Sequence, residues 1–266
     1  MTIQNSIVSY PERGPWGNNK YRGNTTGHLI KDLIEFYQPK NVLDAMEGGR
    51  TTRDVCREMG VEYDGFDLSG GFDLLSSPLP AKRYDLIFFH PPYWDIIRYS
   101  DDPRDLSTCK TFDEFMQKLF ACIDRLGEYL SENGVLVVQV GDVRKHGEFF
   151  PLGSYIAVFR RGELKEKMIK VQHNVWSNRI NYSGKFIPLM HEEVLVLKGM
   201  RRLTWQELVL RTLRELGGEA SLKELYEAIA KHPKHLSNPT YPATIRRTLQ
   251  ESESVVPVKK GLWKWV

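Results

Sequence analysis

The chain has no apolar run approaching the roughly 18–20 residues that cross a bilayer, so no membrane partner is expected. Met1–Tyr10 lacks both a basic start and an apolar stretch, which gives no sign of a signal peptide. Cysteine is scarce: Cys56, Cys109 and Cys122 are odd in number, far apart and without CxxC spacing. That argues against a disulfide framework and against a zinc site, and points to a reducing cytoplasm. Charge of one sign is scarce as well, with a net of only +3 over 266 residues. From Arg201 onward there are 12 Lys and Arg against 7 Asp and Glu, an excess of +5 that leaves −2 on the rest. A nearly neutral body with a basic last quarter suits a nucleic-acid-facing appendage, although a plain solvated surface would show the same counts. With 41% hydrophobic and 27% charged residues, the composition is that of a globular protein long enough for one large α/β domain and a small one.

What is present is organised around Tyr84-Asp85-Leu86-Ile87-Phe88-Phe89-His90-Pro91-Pro92-Tyr93-Trp94. Four apolar residues without alternation predict a strand buried on both faces. Pro91 and Pro92 each lack an N–H and hold φ fixed, so the strand must stop there, stiff and extended. In an open α/β sheet the carboxyl edge of the strands is where ligands sit.

Upstream, Met1–Asn19 carries Pro11, Gly14, Pro15 and Gly17 and reads as a flexible leader, or as a segment in which Arg13, Trp16 and Lys20 meet a nucleic-acid backbone. A helix is predicted over His28–Tyr37, preceded by Asn24-Thr25-Thr26-Gly27, and a strand over Asn41–Met46. Glu47-Gly48-Gly49-Arg50-Thr51-Thr52 then turns into a helix reaching Met59. A strand, a glycine turn and a helix N-terminus together make a pocket of backbone N–H groups with a positive dipole. Arg50 stands where a glycine would be favoured for positive φ, so a reshaped turn is expected. Val61–Asp67 is the next strand; Asp67 lies about 20 positions after the turn, the spacing at which a βαβ unit brings a carboxylate to a ribose. Asp64, in mid-strand, is expected to face solvent. Downstream, Trp94–Lys110 is long, polar and aperiodic, as functional loops are. Thr111 and Glu114 form a capping-box signature for a helix to about Leu130, with Phe112, Phe115, Leu119, Cys122, Ile123 and Leu126 on its core stripe. Val135–Val140 is a continuous apolar strand closed by Gly141-Asp142-Val143-Arg144. A helix over Gly153–Lys165, a strand around Ile169–Trp176, a polar gap at Ser177–Lys185 and a β segment at His191–Leu197 complete the body.

His90-Pro91-Pro92-Tyr93 and the loop Asp44-Ala45-Met46-Glu47-Gly48-Gly49-Arg50-Thr51-Thr52 resemble motifs of the DNA amino-methyltransferases, over about residues 20–198. That family moves a methyl group from S-adenosylmethionine to adenine N6 or cytosine N4. Its catalytic motif begins with Asp, Asn or Ser, and its loop reads Asp-Pro-x-x-Gly-Ser-Gly-Thr-Thr. The chain departs from it at His90, Ala45 and Arg50. The resemblance implies S-adenosylmethionine as cofactor, with Asn24 and Thr25 at its methionine end. It places Asp44 at the ammonium, and Met46, Gly48, Thr51 and Thr52 in the cofactor loop. Asp67 would take both ribose hydroxyls, and Phe72 and Asp73 the adenine. It further implies that His90, Pro91, Pro92 and Tyr93 are catalytic. The His90 side chain and the Pro91 carbonyl would accept the hydrogens of the target amino group, with Tyr93 stacked on a flipped base. Residues 94–110 would be a lid, with Trp94 and Arg98 at the DNA. A sulfonium methyl donor needs no metal.

The last quarter predicts a helix over Leu203–Leu216, a second from the capping box Ser221–Glu224 to about Ala230, a third over Ala243–Glu251 led by Pro242, and a hairpin of Val255–Val258 and Leu262–Val266. Three short helices and a basic hairpin resemble a winged-helix domain. That likeness implies DNA contacts from Tyr241, Thr244, Arg246 and Arg247 on the third helix and from Lys259, Lys260 and Lys264 on the wing. Protein docking is the other use of such domains.

The expectation is therefore a doubly wound, Rossmann-like α/β methyltransferase sheet with a small α+β winged-helix domain. The divisions are a leader over 1–20, a catalytic domain over 21–199 and a DNA-binding domain over 200–266. The expected function is methylation of an exocyclic amino nitrogen in double-stranded DNA, adenine N6 ahead of cytosine N4. An RNA base methyltransferase and a non-catalytic DNA-binding protein with a degenerate fold stay open, the second because of His90 and Arg50. A restriction endonuclease partner stays open too, and the oligomeric state is not legible.

Overall fold

The computed structural model describes residues 3–173 and 185–266. The chain packs into two units: one holds the chain up to Ser76 and from Tyr84 to Met200, the other Ser77–Arg83 with Arg201–Val266. One boundary between the units falls near residue 200, where the composition turns basic. The excursion of Ser77–Arg83 into the second unit carries no sequence signal.

The first unit runs β1 (Ile7–Ser9), α1 (Gly27–Tyr37), β2 (Asn41–Asp44), α2 (Thr51–Met59), β3 (Glu62–Gly65), β4 (Tyr84–Phe89), α3 (Phe112–Gly127), β5 (Leu130–Val140), β6 (Val143–Lys145), β7 (Glu148–Phe150), α4 (Leu152–Phe159), β8 (Glu163–Val171) and β9 (His191–Lys198). Seven strands form one sheet in the order β1-β8-β9-β5-β4-β2-β3, while β6 and β7 pair as a separate hairpin. β3, β2, β4 and β5 are mutually parallel, and β9 runs antiparallel to both β5 and β8. Alternation along the strands explains why both faces are covered. Val42, Leu86, Phe88, Val135, Val137, Val194 and Val196 pack with Leu29, Leu33, Val55 and Cys56 of α1 and α2. The intervening Leu43, Ile87, Phe89, Leu136, Val138, Leu195 and Leu197 are equally inaccessible on the opposite face. The chain leaves β2 for β3 on one side and returns to β4 on the other. The topological switch point therefore lies between β2 and β4, with Asp44 registered against Phe88, two residues before His90.

Four expectations are corrected here. The leader is packed on the body rather than detached: β1 pairs in parallel with β8, and the Trp16 indole is buried and donates to Glu58 at 2.6 Å. Pairing hides the outer edge of β8, and the indole contributes a large apolar surface that no hydropathy window shows. α4 stops at Phe159, not Lys165, because Gly162 turns at φ +114° and Glu163–Val171 pairs with β9. Cross-strand hydrogen bonding overrides the helical propensity of Leu164 and Lys165. That strand consequently begins six residues before the predicted Ile169; its expected end at Trp176 and residues 177–184 of the polar gap lie outside the described residues. Asp64 accepts the Tyr84 hydroxyl at 2.7 Å rather than facing water. Thr111 caps α3 as predicted, but Glu114 reaches the Lys110 N–H instead of closing the box.

The second unit contains α5 (Trp205–Glu215), β10 (Glu219–Ser221), α6 (Leu222–Ile229), α7 (Tyr241–Glu251), β11 (Val255–Lys259) and β12 (Leu262–Trp265). Reciprocal capping boxes at Thr204/Glu207 and Ser221/Glu224 start α5 and α6, and Pro242 sits in the first turn of α7. Leu208, Val209, Leu213, Leu225, Ile229, Ile245 and Leu249 make its core. The hairpin gains a third strand that periodicity could not reveal, since the three-residue β10 is recognised only by its pairing with β12. No helix among the described residues is long and apolar enough to cross a membrane, and no metal-holding cluster of His, Cys, Asp and Glu occurs among them.

Candidate active site

The ends of β2 and β4 border a cavity of about 370 Å³, lined among others by Asn24, Thr25, Asp44, Met46, Gly48, Thr51, Thr52, Asp67, Phe72, Asp73, His90 and Pro92. All ten residues assigned to the cofactor from the sequence line it. The volume lies within the range of small-ligand sites.

Each wall has a local cause. Asp44 ends β2 almost completely buried, where its carboxylate accepts the Thr52 hydroxyl at 2.6 Å and the Met46 N–H at 3.2 Å. Burial raises its pKa to about 7, with the two hydrogen bonds opposing and Glu47 and Asp67 adding to the rise. Gly48 turns at φ +42°, and a side chain there would strike the Tyr21 ring. Arg50 caps α2 at φ +64°, in the left-handed region, so the turn keeps a glycine-like backbone despite the substitution, at a strain of about 1–2 kcal/mol. The N-terminus of α2 then points its positive end at the cavity through Thr51 and Thr52. Asn24 locks the loop before α1 onto this turn, accepting the Thr51 hydroxyl at 2.6 Å and donating to the Asn18 carbonyl at 2.9 Å. The cap of α1 itself is Thr26.

Asp67 accepts Gly48 N–H at 3.1 Å through one oxygen, and Ser69 N–H at 2.9 Å and Ser69 O–H at 2.6 Å through the other. With about four acceptor sites in a carboxylate and three in use, it has room for one further hydroxyl, not two. Phe72 lines the cavity and stacks on Phe66 at 4.6 Å. Asp73 caps the turn after it, accepting Leu75 N–H at 2.9 Å and Ser76 O–H at 2.6 Å.

His90 also lines a second cavity of about 660 Å³, together with Tyr10, Arg22, Asn24, Pro91, Tyr93, Tyr99, Lys170 and Glu192. The imidazole thus stands on the wall common to both spaces. Burial drives its pKa down to about 4, with Lys170 pushing the same way and Glu192 opposing, so at neutral pH the ring is uncharged. Its Nε2 lies 2.8 Å from the Tyr93 hydroxyl, which in turn donates to Glu192 at 2.6 Å. A Cβ on Gly141 would collide with the Tyr93 ring, which explains the glycine just after β5.

The residues after the proline pair differ from expectation. Trp94 does not face a ligand. The chain turns at Trp94 with φ +51° and buries the indole against Phe112 and Phe150, its Nε1 donating to the Cys109 carbonyl at 3.1 Å. A bulky residue in that region is strained, and the apolar pocket holds it there. The second half of the predicted lid is equally fastened: Asp105 caps a 3₁₀ turn, and Asp105, Leu106 and Ser107 are buried. Arg98 is exposed and pairs with Asp101 at 2.9 Å. Within the second unit Arg246, Arg247, Lys259, Lys260 and Lys264 are exposed, whereas Tyr241 and Thr244 are half-buried, Thr244 accepting from Asn238 at 2.9 Å.

Sequence reasoning missed Glu192, Lys170 and Gln139. Gln139 donates to Glu192 at 2.8 Å and accepts the Thr25 hydroxyl at 2.8 Å, and Lys170 donates to Glu192 at 2.5 Å. A signal existed: Gln139 interrupts a run of valines, and Glu192 opens an apolar strand, each a polar group bound for burial that must find partners.

No protein-family model matches the chain, and no curated protein does. Among solved structures, similarity is found to a candidate DNA modification methylase from Thermus thermophilus bound to S-adenosyl-L-methionine, at 22% identity, covering 64% of this chain and 62% of that one with a TM-score of 0.34. TehB from Haemophilus influenzae aligns at 12% identity over 64% and 62% of the two chains, TM-score 0.37. Phosphoethanolamine N-methyltransferase 2 from Haemonchus contortus aligns at 12% over 70% and 41%, TM-score 0.38. The chain spans about three-fifths of the length of the Thermus protein.

Proposed function

We propose that the protein is an S-adenosylmethionine-dependent methyltransferase acting on an exocyclic amino nitrogen of a base in double-stranded DNA, adenine N6 ahead of cytosine N4. The observation that carries this reading is the neutral His90 on the wall between two cavities, one with groups matching each part of the cofactor and one large enough for a base. Asp44 suits the methionine ammonium, the N-terminus of α2 its carboxylate, Asp67 one ribose hydroxyl and the Phe72 ring the adenine. When bound, the cofactor supplies an electrophilic sulfonium methyl group.

The chain's own residues do the rest. An amino nitrogen conjugated to a base is a poor nucleophile because its lone pair is delocalised into the ring. A hydrogen bond from its N–H to His90, and a second to the Pro91 carbonyl, would hold the nitrogen pyramidal with its lone pair directed across the shared wall. The proline pair keeps this corner stiff, so rate comes from orientation rather than from acid–base chemistry. Arg50 keeps the loop backbone in the turn geometry, which counts against a degenerate fold. The order of helices and strands in the second unit fits a winged helix, with Arg246 and Arg247 on α7 and Lys259, Lys260 and Lys264 on the hairpin facing phosphates. Transfer of labelled methyl from S-adenosylmethionine to duplex DNA, with nucleoside mass spectrometry of the product, tests the reading. Label entering tRNA or rRNA instead of DNA would move the substrate to RNA. No label in any nucleic acid, with no calorimetric binding of the cofactor, would refute it.

A further inference from the structure

Glu192 is the hub of a hydrogen-bonded chain that joins three strands, the corner after β4 and the loop before α1. One of its oxygens accepts from Tyr93 on the corner after β4. The other accepts from Gln139 on β5 and from Lys170, its cross-strand partner on β8. Burial by itself would raise the carboxyl pKa. The Lys170 ammonium, the His90 ring and the hydrogen bonds from Lys170 and Tyr93 outweigh it and hold it at about 2. Glu192 is therefore a carboxylate, which accepts hydrogen bonds and donates none. Burial and the same carboxylate push the Tyr93 phenol well above its ordinary value, so it keeps its proton.

Tyr93 has one O–H, and the 2.6 Å contact gives it to Glu192. At the 2.8 Å contact with His90 the phenol oxygen can then only accept, so the proton lies on Nε2 of the ring. A neutral imidazole carries one N–H, which leaves Nδ1 with a bare lone pair. Nδ1 makes no hydrogen bond to any described residue, and His90 lines both cavities.

We infer that Glu192, held by Lys170 and Gln139, is a positioning residue that acts through Tyr93 to fix His90 in the Nε2–H tautomer, so that Nδ1 is a standing acceptor for a substrate amino hydrogen. The inference rests on the methyltransferase reading for the identity of that hydrogen and on the hydrogen-bond geometry alone for the tautomer. It also gives Tyr93 a task besides facing a base. A histidine at a position that needs an acceptor is ambiguous, because either nitrogen can carry the proton. The relay removes the ambiguity.

Nitrogen-15 NMR of histidine-labelled full-length protein at pH 7.5 tests this directly, with His90→Ala to assign the ring. The expected spectrum has a protonated, hydrogen-bonded Nε2 and an unprotonated Nδ1. Tyr93→Phe and Glu192→Gln should each lose the hydrogen-bonded Nε2–H and show both tautomers, and should lower kcat at least about 10-fold with KM and cofactor affinity within about 2-fold. A proton on Nδ1 in the unmodified protein, or an unchanged tautomer population in both folded variants, would overturn the inference. If the tautomer is as assigned but methyl reaches no nucleic acid, the proposed activity fails and the assignment of Nε2–H stands.

Discussion

Replacing Asp44 by Asn should stabilise the protein in mildly alkaline buffer and leave it unchanged in acid. The carboxyl ends β2 in a buried position, and its pKa rises from 3.8 to about 7. Because the folded value is the higher, the folded chain binds more protons than the unfolded chain between these two values. Stability from this group is full below about 3.8 and is lost as pH climbs through 7. At about 1.4 kcal/mol per pH unit, the charged form costs the fold on the order of 4 kcal/mol once pH exceeds 7. Asn has the same shape and can keep both contacts, its oxygen on Met46 N–H and its amide on the Thr52 hydroxyl, without the charge. A sheet unit of this size gains roughly 2–4 °C in Tm per kcal/mol. Melting of both proteins at half-unit steps from about pH 3 to 8.5 should therefore show a gap that is near zero at the acid end and roughly 8–15 °C at the alkaline end. A cation beside Asp44 should erase the penalty. S-adenosylmethionine should then raise the Tm of the unmodified protein more at pH 8 than at pH 5, and that of the Asp44→Asn variant by less than either. A gap that does not change with pH would show that Asp44 is not a buried titrating group and would remove its assignment to the ammonium.

His90 carries the opposite sign. Its folded pKa of about 4 lies below the unfolded value near 6.5, so its contribution is complete above 6.5 and about 3 kcal/mol is lost as pH falls towards 4, which melts of His90→Gln should not show. For the same reason methyl transfer should be level through neutrality and decline only in acid, and His90→Ala should cut turnover at least about 100-fold while calorimetry still detects cofactor. Trp16→Ala should cost about 3–5 kcal/mol in urea unfolding, the value of a core indole; a loss under about 1 kcal/mol would return the first 20 residues to a loose leader. Changing Lys259, Lys260 and Lys264 together to Ala should lower the salt slope of DNA binding by about 3, one per phosphate contact, and an unchanged slope would take the hairpin off the DNA.

The legible parts of the site are those whose cause is local. Two consecutive prolines end a strand whatever surrounds them, and the glycine turn before Thr51 and Thr52 implies a helix N-terminus beside the strand end. Both sides of the switch point can therefore be read, and the ten cofactor candidates do share one cavity. Trp94 departs from expectation because an aromatic next to a stiff proline corner has two destinations. Only the hydrophobic pocket of Phe112 and Phe150, from elsewhere in the chain, decides that it turns inward. Asp67 lines the cavity as expected but has room for one hydroxyl rather than two, since its bonds to Gly48 and Ser69 come from the folded turn.

By itself the amino-acid order determined where most helices begin and where β4 stops, through caps, prolines, glycines and hydrophobic period, and through them an α/β body with a basic appendage. Only the tertiary structure decided which polar groups meet. Tyr93 and Glu192 are 99 positions apart and Thr25 and Gln139 are 114 apart, so no local pattern links them. Strand β1 likewise becomes a strand only because the edge of β8 is there to pair with it. Backbone preferences act over a few residues, whereas a buried carboxylate takes whatever donors the closed sheet brings within about 3 Å, and the proton on His90 follows from that choice.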